Sequence, residues 1–345
     1  SLKQDLVLNT TINDENKIYI DGLLVGELKG LKFLIEITSK TLDTDIKSIK
    51  KAARRGIEKE LIKRVDRILT EGGVEINNEN KIIWKNNSIA RLKKGNDYLN
   101  PEIEIIADDS LNIDSKTKLT AYLNEWLNSY INEVLRDLIK LTKHKIKNQY
   151  LRGLVFQLYE NNGVVKRNEV EQIIKSIPAD ERKKLWGMGI KIGRYHIYLP
   201  KMFKPKAVEF RIGLWKIFNN LSEKNRIPQS GLNFLISDNF DKNFLLLCGF
   251  EKFKEFFVRI DILEKLFIKI IDSTKERKFK INTDMMNLLG CSKENFYKLM
   301  DYMNYKKDKA VDTYIFRGER KKRERLIKFD KKENPFNKLL SLNIK

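Results

Sequence analysis

Hydrophobic and polar positions alternate in nearly the same way twice within the first 142 residues. ENKIYIDGLLVGELK at 15–29 aligns without gaps to ENKIIWKNNSIARLK at 79–93. Each copy alternates, turns at Asp21-Gly22 or Asn86-Asn87, and alternates again. A period of two on both sides of residues that tolerate positive φ is the pattern of a β-hairpin. A third apolar segment follows in each copy, FLIEI at 33–37 and EIEII at 102–106. The period then changes to that of a helix. Ile46, Ile49, Ala53, Ile57, Leu61, Val65 and Ile68 predict one helix over 45–69, and Leu119, Leu123, Trp126, Tyr130, Val134, Leu138 and Leu141 a second over 115–141. Asp43 or Thr44, and Asp114 or Ser115, are the expected N-caps. The unit is therefore β-β-β-α, twice, and the copies can pack as a pseudo-symmetric pair.

From residue 143 onward the pattern is mostly helical. A helix over 151–160 should end at Asn161-Asn162-Gly163, Asn168 should cap a helix over 169–176, and Pro178 should open one over 179–185. WGMGIKIGRYHIYLPKMFKPK at 186–206 interrupts them. Its apolar Ile190, Ile192, Tyr195, Ile197 and Leu199 alternate with Lys191, Arg194 and His196, which predicts a short extended ribbon with a wet basic face, stopped at Pro200. Short helices followed by a ribbon resemble a winged-helix plan. An amphipathic helix holding Val208, Ile212, Trp215 and Ile217 or Phe218 follows Pro205. A turn at 227–231 then leads to a strand (Phe256, Val258, Ile260) and a helix (Leu263, Leu266, Ile270). INTDMMNLLGCSKENFYKLMDYMNYKKDK at 281–309 has a helix–turn–helix rhythm, capped by Thr283 and Ser292 and broken at Gly290. That rhythm fits plain helical packing as well as DNA reading.

These signals divide the chain at 1–72, 73–142, 143–226, 227–316 and 317–345. The expected fold class is α+β. Two tandem β-hairpin-plus-helix repeats come first, then a mostly helical, winged-helix-like part, then a small C-terminal α/β module with a basic tail.

Charge sharpens this picture. Of 345 residues, 68 are Lys or Arg and 47 are Asp or Glu, a formal net charge of +21 that points to a polyanionic partner or a membrane surface. A hydrophobic fraction of 41% provides for real cores. No apolar run nears the ~18 residues of a membrane span. Cys248 and Cys291 form no CxxC pair, and with only His144 and His196 beside them there is no zinc set; buried thiols in a reducing, cytoplasmic setting are expected. The opening SLKQDLVLNT has neither a signal peptide nor an initiator Met, which predicts a piece of a longer protein.

The cations concentrate in three places. The ribbon carries Lys191, Arg194, His196 when protonated, Lys201, Lys204 and Lys206, with Lys184 just before it, interleaved with Trp186, Tyr195, Tyr198 and Phe203. Cations neutralise phosphate and aromatic faces stack on unpaired bases, although a lysine-guarded edge strand has the same composition. The first long helix carries Lys47, Lys50, Lys51, Arg54, Arg55, Lys59, Lys63, Arg64 and Arg67 against only Asp45, Glu58, Glu60 and Asp66. RGERKKRERL from Arg317, with Arg320, Lys321, Lys322, Arg323 and Arg325, forms a basic run. The expected strand contacts are Lys191, Arg194, Tyr195, His196, Tyr198, Lys201 and Lys204 on the ribbon, Arg54, Arg55, Lys63 and Arg64 on the helix, and that tail.

Catalytic patterns are missing from the sequence. It has no GxxxxGK[ST] loop, no GxSxG elbow and no HExxH. Asp108 with Asp109, and Glu102 with Glu104, are paired acids of the kind that cap strands more often than they hold metals; a metal-dependent nuclease through Asp108 and Asp109 is the remote reading.

Several segments together resemble one family. WGMGIKIGRYHIYLPKMFKPKAVEFRIGLW at 186–215 is similar to a segment of the large superfamily-two helicases of alphaproteobacteria, relatives of the mitochondrial degradosome RNA helicase. Four further segments resemble the same C-terminal region in the same order. They are KIIWKNNSIARLKKGNDYLNPEIEIIADDSL at 81–111, IPQSGL with CGFEKFKEFFVRIDILEKL at 227–266, INTDMMNLLGCSKENF at 281–296, and a closing PFNKLLSL. The resemblance implies an upstream ATP-driven DEAD/DEAH-type core, which would bind ATP and Mg2+ and make the parent protein an ATP hydrolase. None of that core's motifs lies in this chain, so no catalytic residue carries over. It implies that this stretch is an accessory region that guides or grips RNA or another single strand. The partners it implies are its own helicase core and, in a docking-scaffold reading, a ribonuclease. No membrane partner is expected.

Overall fold

In the computed structural model, which describes residues 10–36, 43–221, 226–237 and 241–316, the alternating segments become two four-stranded antiparallel meanders. The first holds β1 (Thr10–Ile12), β2 (Lys17–Ile20), β3 (Leu23–Lys29) and β4 (Lys32–Ile35), followed by helix α1 (Asp43–Glu71). The second holds β5 (Val74–Ile76), β6 (Lys81–Trp84), β7 (Asn87–Asp97) and β8 (Asn100–Ile105), followed by α2 (Ile113–Val134). The repetition extends to irregularities. Register shifts fall at the matching sites Ile18/Tyr19 and Ile82/Ile83. Asn13 Oδ1 accepts from Lys17 N at 2.8 Å and Asn77 Oδ1 from Lys81 N at 2.9 Å. The second hairpin turns at Lys85-Asn86, both at positive φ, one residue earlier than the sequence suggests and in step with Asp21-Gly22. A parallel bridge from Leu31 to Ala107 stitches the two sheets together.

The α1 face with Ala53, Ile57, Leu61, Val65 and Ile68 is wholly buried, as its spacing predicts; the side chains at the start of α1 lie outside the described residues. The second predicted helix is interrupted at Leu135 (φ −106°, ψ 25°), and α3 (Arg136–Lys143) follows directly. Its cap is Asn112, whose Oδ1 accepts from Ser115 N at 2.8 Å, rather than Asp114 or Ser115.

Next come α4 (Gln149–Glu160), β9 (Val164–Lys166), α5 (Glu171–Ser176), α6 (Ala179–Gly187), β10 (Lys191–Ile192) and β11 (His196–Tyr198). The sheet order β10-β11-β9 makes this helix, strand, helix, helix and hairpin a winged helix, with α6 second in its helix–turn–helix and residues 193–195 as the wing. Asn168 does not cap α5, which starts two residues later than expected behind Val170. A 3-10 turn (Pro200–Phe203) and α7 (Pro205–Phe218) follow, then β12 (Phe234–Ile236), α8 (Lys242–Leu247), β13 (Phe250–Phe253) and β14 (Phe256–Arg259), with β14 central in a three-stranded sheet. Fully buried Arg211 fastens this region. Its guanidinium donates to the carbonyls of Asn162, Met202 (3.1 Å) and Leu247 (2.8 Å), and burial lowers its pKa to about 10.

The chain separates into two compact units between Lys265 and Leu266, within α9 (Ile260–Ser273). The second unit takes the remainder of α9, then β15 (Lys278–Lys280), α10 (Thr283–Leu289), α11 (Lys293–Tyr302), β16 (Lys306–Lys307) and β17 (Thr313–Ile315), with sheet order β15-β17-β16. That is a second winged helix, and the helix–turn–helix rhythm is real. Asn282, not Thr283, caps α10 through Met285 N at 2.9 Å; Gly290 (φ 69°) ends it in the left-handed conformation glycine accepts, and Ser292 caps α11. Its core packs Phe279, Phe296, Leu299, Met300 and Tyr314. Both cysteines are free: Cys248 is buried, its thiol pushed up to about 12 by burial, and Cys291 is half-buried at about 11. Among the described residues no helix is long and apolar enough to cross a membrane.

Candidate nucleic-acid interface

Opposite its buried face, α1 carries Lys51, Arg55, Lys59, Lys63 and Arg67 at a strict spacing of four, all exposed. At 1.5 Å per residue the row is about 24 Å long, with a cation about every 6 Å. None of the five makes an ion pair among the described residues, and Arg54 beside them makes none either. Arg64 differs. It is buried, donates to the carbonyls of Gly30 (2.7 Å) and Leu28 (3.3 Å) and to Asn16, and pairs with Glu60 at 3.2 Å. It pins α1 to the first sheet and is withdrawn from the expected contact set. The second repeat spends its cations at home. Glu104 takes both Arg91 and Lys93, whose hydrogen bonds push its carboxyl down to about 2, and Lys118 pairs with Asp114 at 2.7 Å.

The ribbon is a hairpin whose wing is held from beneath. Glu264 on α9 accepts from three successive backbone N–H groups, those of Arg194, Tyr195 (2.8 Å) and His196 (3.0 Å). A side chain at Gly193 would press on this carboxylate and disturb its hold on the wing. The His196 ring is 1% exposed, not part of a wet face. Its Nε2 lies 2.7 Å from Glu251 Oε2, and Nδ1 lies 3.7 Å from Glu264 Oε1, within ion-pair reach. Lys166 Nζ meets the other Glu251 oxygen at 2.6 Å. Burial alone would lower the imidazole pKa, but the Glu251 and Glu264 carboxylates reverse that and raise it above the usual histidine value. Burial likewise pushes the Glu251 carboxyl up, and His196 and Lys166 overcome this to leave it below the usual range. An imidazolium between two carboxylates is the state this geometry favours.

Tyr198 is also internal, stacked on Phe203 with ring centroids 5.4 Å apart. His196 and Tyr198 therefore build the wing, and a strand would meet neither; the alternation in sequence that suggested otherwise runs into β11, which is buried on both faces. Lys191 and Lys204 are exposed and make no ion pair among the described residues, and Lys201 is exposed but held by Asp137 at 3.2 Å. Arg194 and Tyr195 sit half-buried on the wing itself. Arg320, Lys321, Lys322, Arg323 and Arg325 lie outside the described residues. Asp108 accepts from Ser110 N (3.0 Å) and Oγ (2.8 Å), the work of a turn residue. Glu251, Glu264 and Lys166 were not legible as a set, because 98 residues separate the outermost two and nothing local marks them. No family model, curated protein or solved structure matches this chain.

Proposed function

We propose that this chain binds nucleic acid, single-stranded RNA foremost, as the accessory region of an ATP-dependent helicase that grips or guides a strand. The observation that carries this reading is the row on α1, which makes no ion pair among the described residues. Four successive like-charged pairs at i, i+4 cost the helix ~0.2–0.5 kcal/mol each, and the nearby acids Glu58 and Asp66 form no ion pair with it among the described residues. A helix that keeps such a row exposed suits a polyanion whose phosphates it can neutralise one after another. The first winged helix adds Lys191, Lys204 and Arg194 around a fixed wing. RNA over DNA, and the ATP- and Mg2+-dependent core upstream, rest on the helicase resemblance alone. A second reading, a scaffold that docks a ribonuclease, draws on exposed apolar side chains such as Ile113 at 84%, Val311 at 80% and Phe156 at 58%.

The test is fluorescence anisotropy of single-stranded RNA across a salt series. Replacing Arg55, Lys59 and Lys63 with alanine should weaken binding and flatten the log–log salt slope by roughly 0.7 per cation, about 2 in all. A folded triple variant with unchanged affinity and slope overturns the reading. A salt-insensitive complex with a protein partner would favour the scaffold.

A further inference from the structure

Residues on α6 at spacings of three and four share one side of the helix: Ala179, Arg182, Lys183 and Trp186, all exposed. Leu185 turns inward and is fully buried, so the helix is anchored and this side is left to solvent. Trp186 is 78% exposed, in contrast to Trp84 at 5%. Of the four aromatics interleaved with the basic ribbon, Tyr198 and Phe203 are buried against each other and Tyr195 is half-buried; Trp186 alone offers an open ring. Its neighbours are cationic. Lys183 has no ion pair among the described residues, and Arg182 uses only Nε, to Ile177 O at 2.9 Å. Lys184, off this side, is paired with Glu181 at 2.6 Å.

We infer that Trp186 is a stacking platform for an unpaired nucleobase, with Arg182 and Lys183 holding the phosphates on either side. This rests on the nucleic-acid reading and names the place where a single strand, rather than a duplex, is recognised. An aromatic face accepts any base, so the contact is tolerant of sequence but needs an unstacked base. A protein-docking site would surround the ring with further apolar groups; here the ring stands among cations. The wing that follows α6 in the chain is preset by Glu264.

The experiment uses the 345-residue chain, with oligoribonucleotides as single strand and as duplex. Binding is followed by anisotropy, and the Trp186 emission is isolated as the difference between wild-type and W186F spectra. Single strands should quench that emission and duplexes should not. W186A should weaken single-strand binding by about 5- to 100-fold and leave duplex binding within about twofold. W186F should retain most of the affinity, because a ring remains. Because the side chain is exposed, both variants should keep the wild-type unfolding temperature. Strand binding with unmoved Trp186 emission and an unaffected W186A would overturn the platform while leaving the nucleic-acid reading intact. Absence of strand binding by the wild-type chain would remove both. Loss of affinity by W186A equally for strand and duplex would also overturn it, since stacking on an unpaired base requires the difference.

Discussion

The two winged helices share element order, sheet order and a basic hairpin, yet they place their carboxylates oppositely. In the first, buried Glu264 and half-buried Glu251 lie beneath the wing; Glu264 accepts from its backbone N–H groups and both carboxylates meet His196. The outward cations Lys183 and Lys191 make no ion pair among the described residues. In the second, the acids are in the wing. Asp312 takes Lys293 of α11 at 3.3 Å and the Tyr297 hydroxyl, and Asp308 takes Lys278 at 2.8 Å. One module uses acid to hold its wing from below and leaves its positive face available. The other pairs two of its cations, Lys278 and Lys293, with acids of its wing. On the proposed reading, where the carboxylates sit around the wing, and not the number of lysines alone, would decide which module meets a polyanion.

The largest expected effect comes from removing the clamp. Glu264→Ala orphans three adjacent backbone N–H groups in a buried setting and leaves His196 with one carboxylate. A loss of about 3 kcal/mol in urea-unfolding stability is expected, with weaker strand binding because the wing is no longer preset. Glu264→Gln, which keeps one acceptor, should recover part of both. Asp312→Asn, the counterpart change in the exposed wing, should cost well under 1 kcal/mol. Equal costs in the two modules would end the distinction between buried and exposed carboxylates.

The second effect is pH-dependent and separates the modules again. The folded pKa of His196 is raised, so its contribution is fully present below the unfolded histidine value near 6.5 and fades as pH rises through the folded value. Glu251, lowered, works in the other direction: its contribution is present above the unfolded glutamate value and fades as pH falls through the folded one. Stability of the first unit should therefore be greatest in mildly acidic buffer and decline through neutral to basic pH, by roughly 1.4 kcal/mol for each unit of histidine shift. Thermal unfolding from pH 5 to 9 measures this. His196→Gln should abolish the decline. The second unit has no histidine and should show none.

Most of this scaffold is written in local pattern. The duplicated hairpins, the α1 period, the helix ends at Asn161–Gly163 and Gly290, and the cap at Ser292 all arise from residues a few positions apart, where turn chemistry and amphipathic spacing decide. The misreadings occur where distant contacts decide instead. His196 sits at a polar position of an alternating ribbon, yet Glu251 and Glu264 supply partners that make its burial favourable. Arg64 looks like one more cation on a basic helix, but the carbonyls of Leu28 and Gly30 draw it inward. The α1 row was legible because a surface charge pattern needs no tertiary partner to be seen. The clamp under the wing was not, because its members lie on β9, β13 and α9 and meet only in the folded unit.

The smallest effect is the most direct test of the charge argument. Asp308→Asn with Asp312→Asn frees Lys278 and Lys293 without adding a cation, and both aspartates are partly exposed, so the fold should tolerate the change with less than about 1 kcal/mol lost. If paired acids are what keep the second module from a strand, the double variant should bind single-stranded RNA more tightly at low salt. Its salt slope should steepen by up to roughly 1.4, at about 0.7 for each cation that reaches a phosphate. The gain should vanish near 0.5 M salt, where screening removes the released charges' advantage. An unchanged slope would mean that this face does not meet the strand even when positive. The difference between the modules would then lie in the open aromatic on α6, where α11 has Tyr297 tethered to Asp312, and carboxylate placement would be its companion rather than its cause.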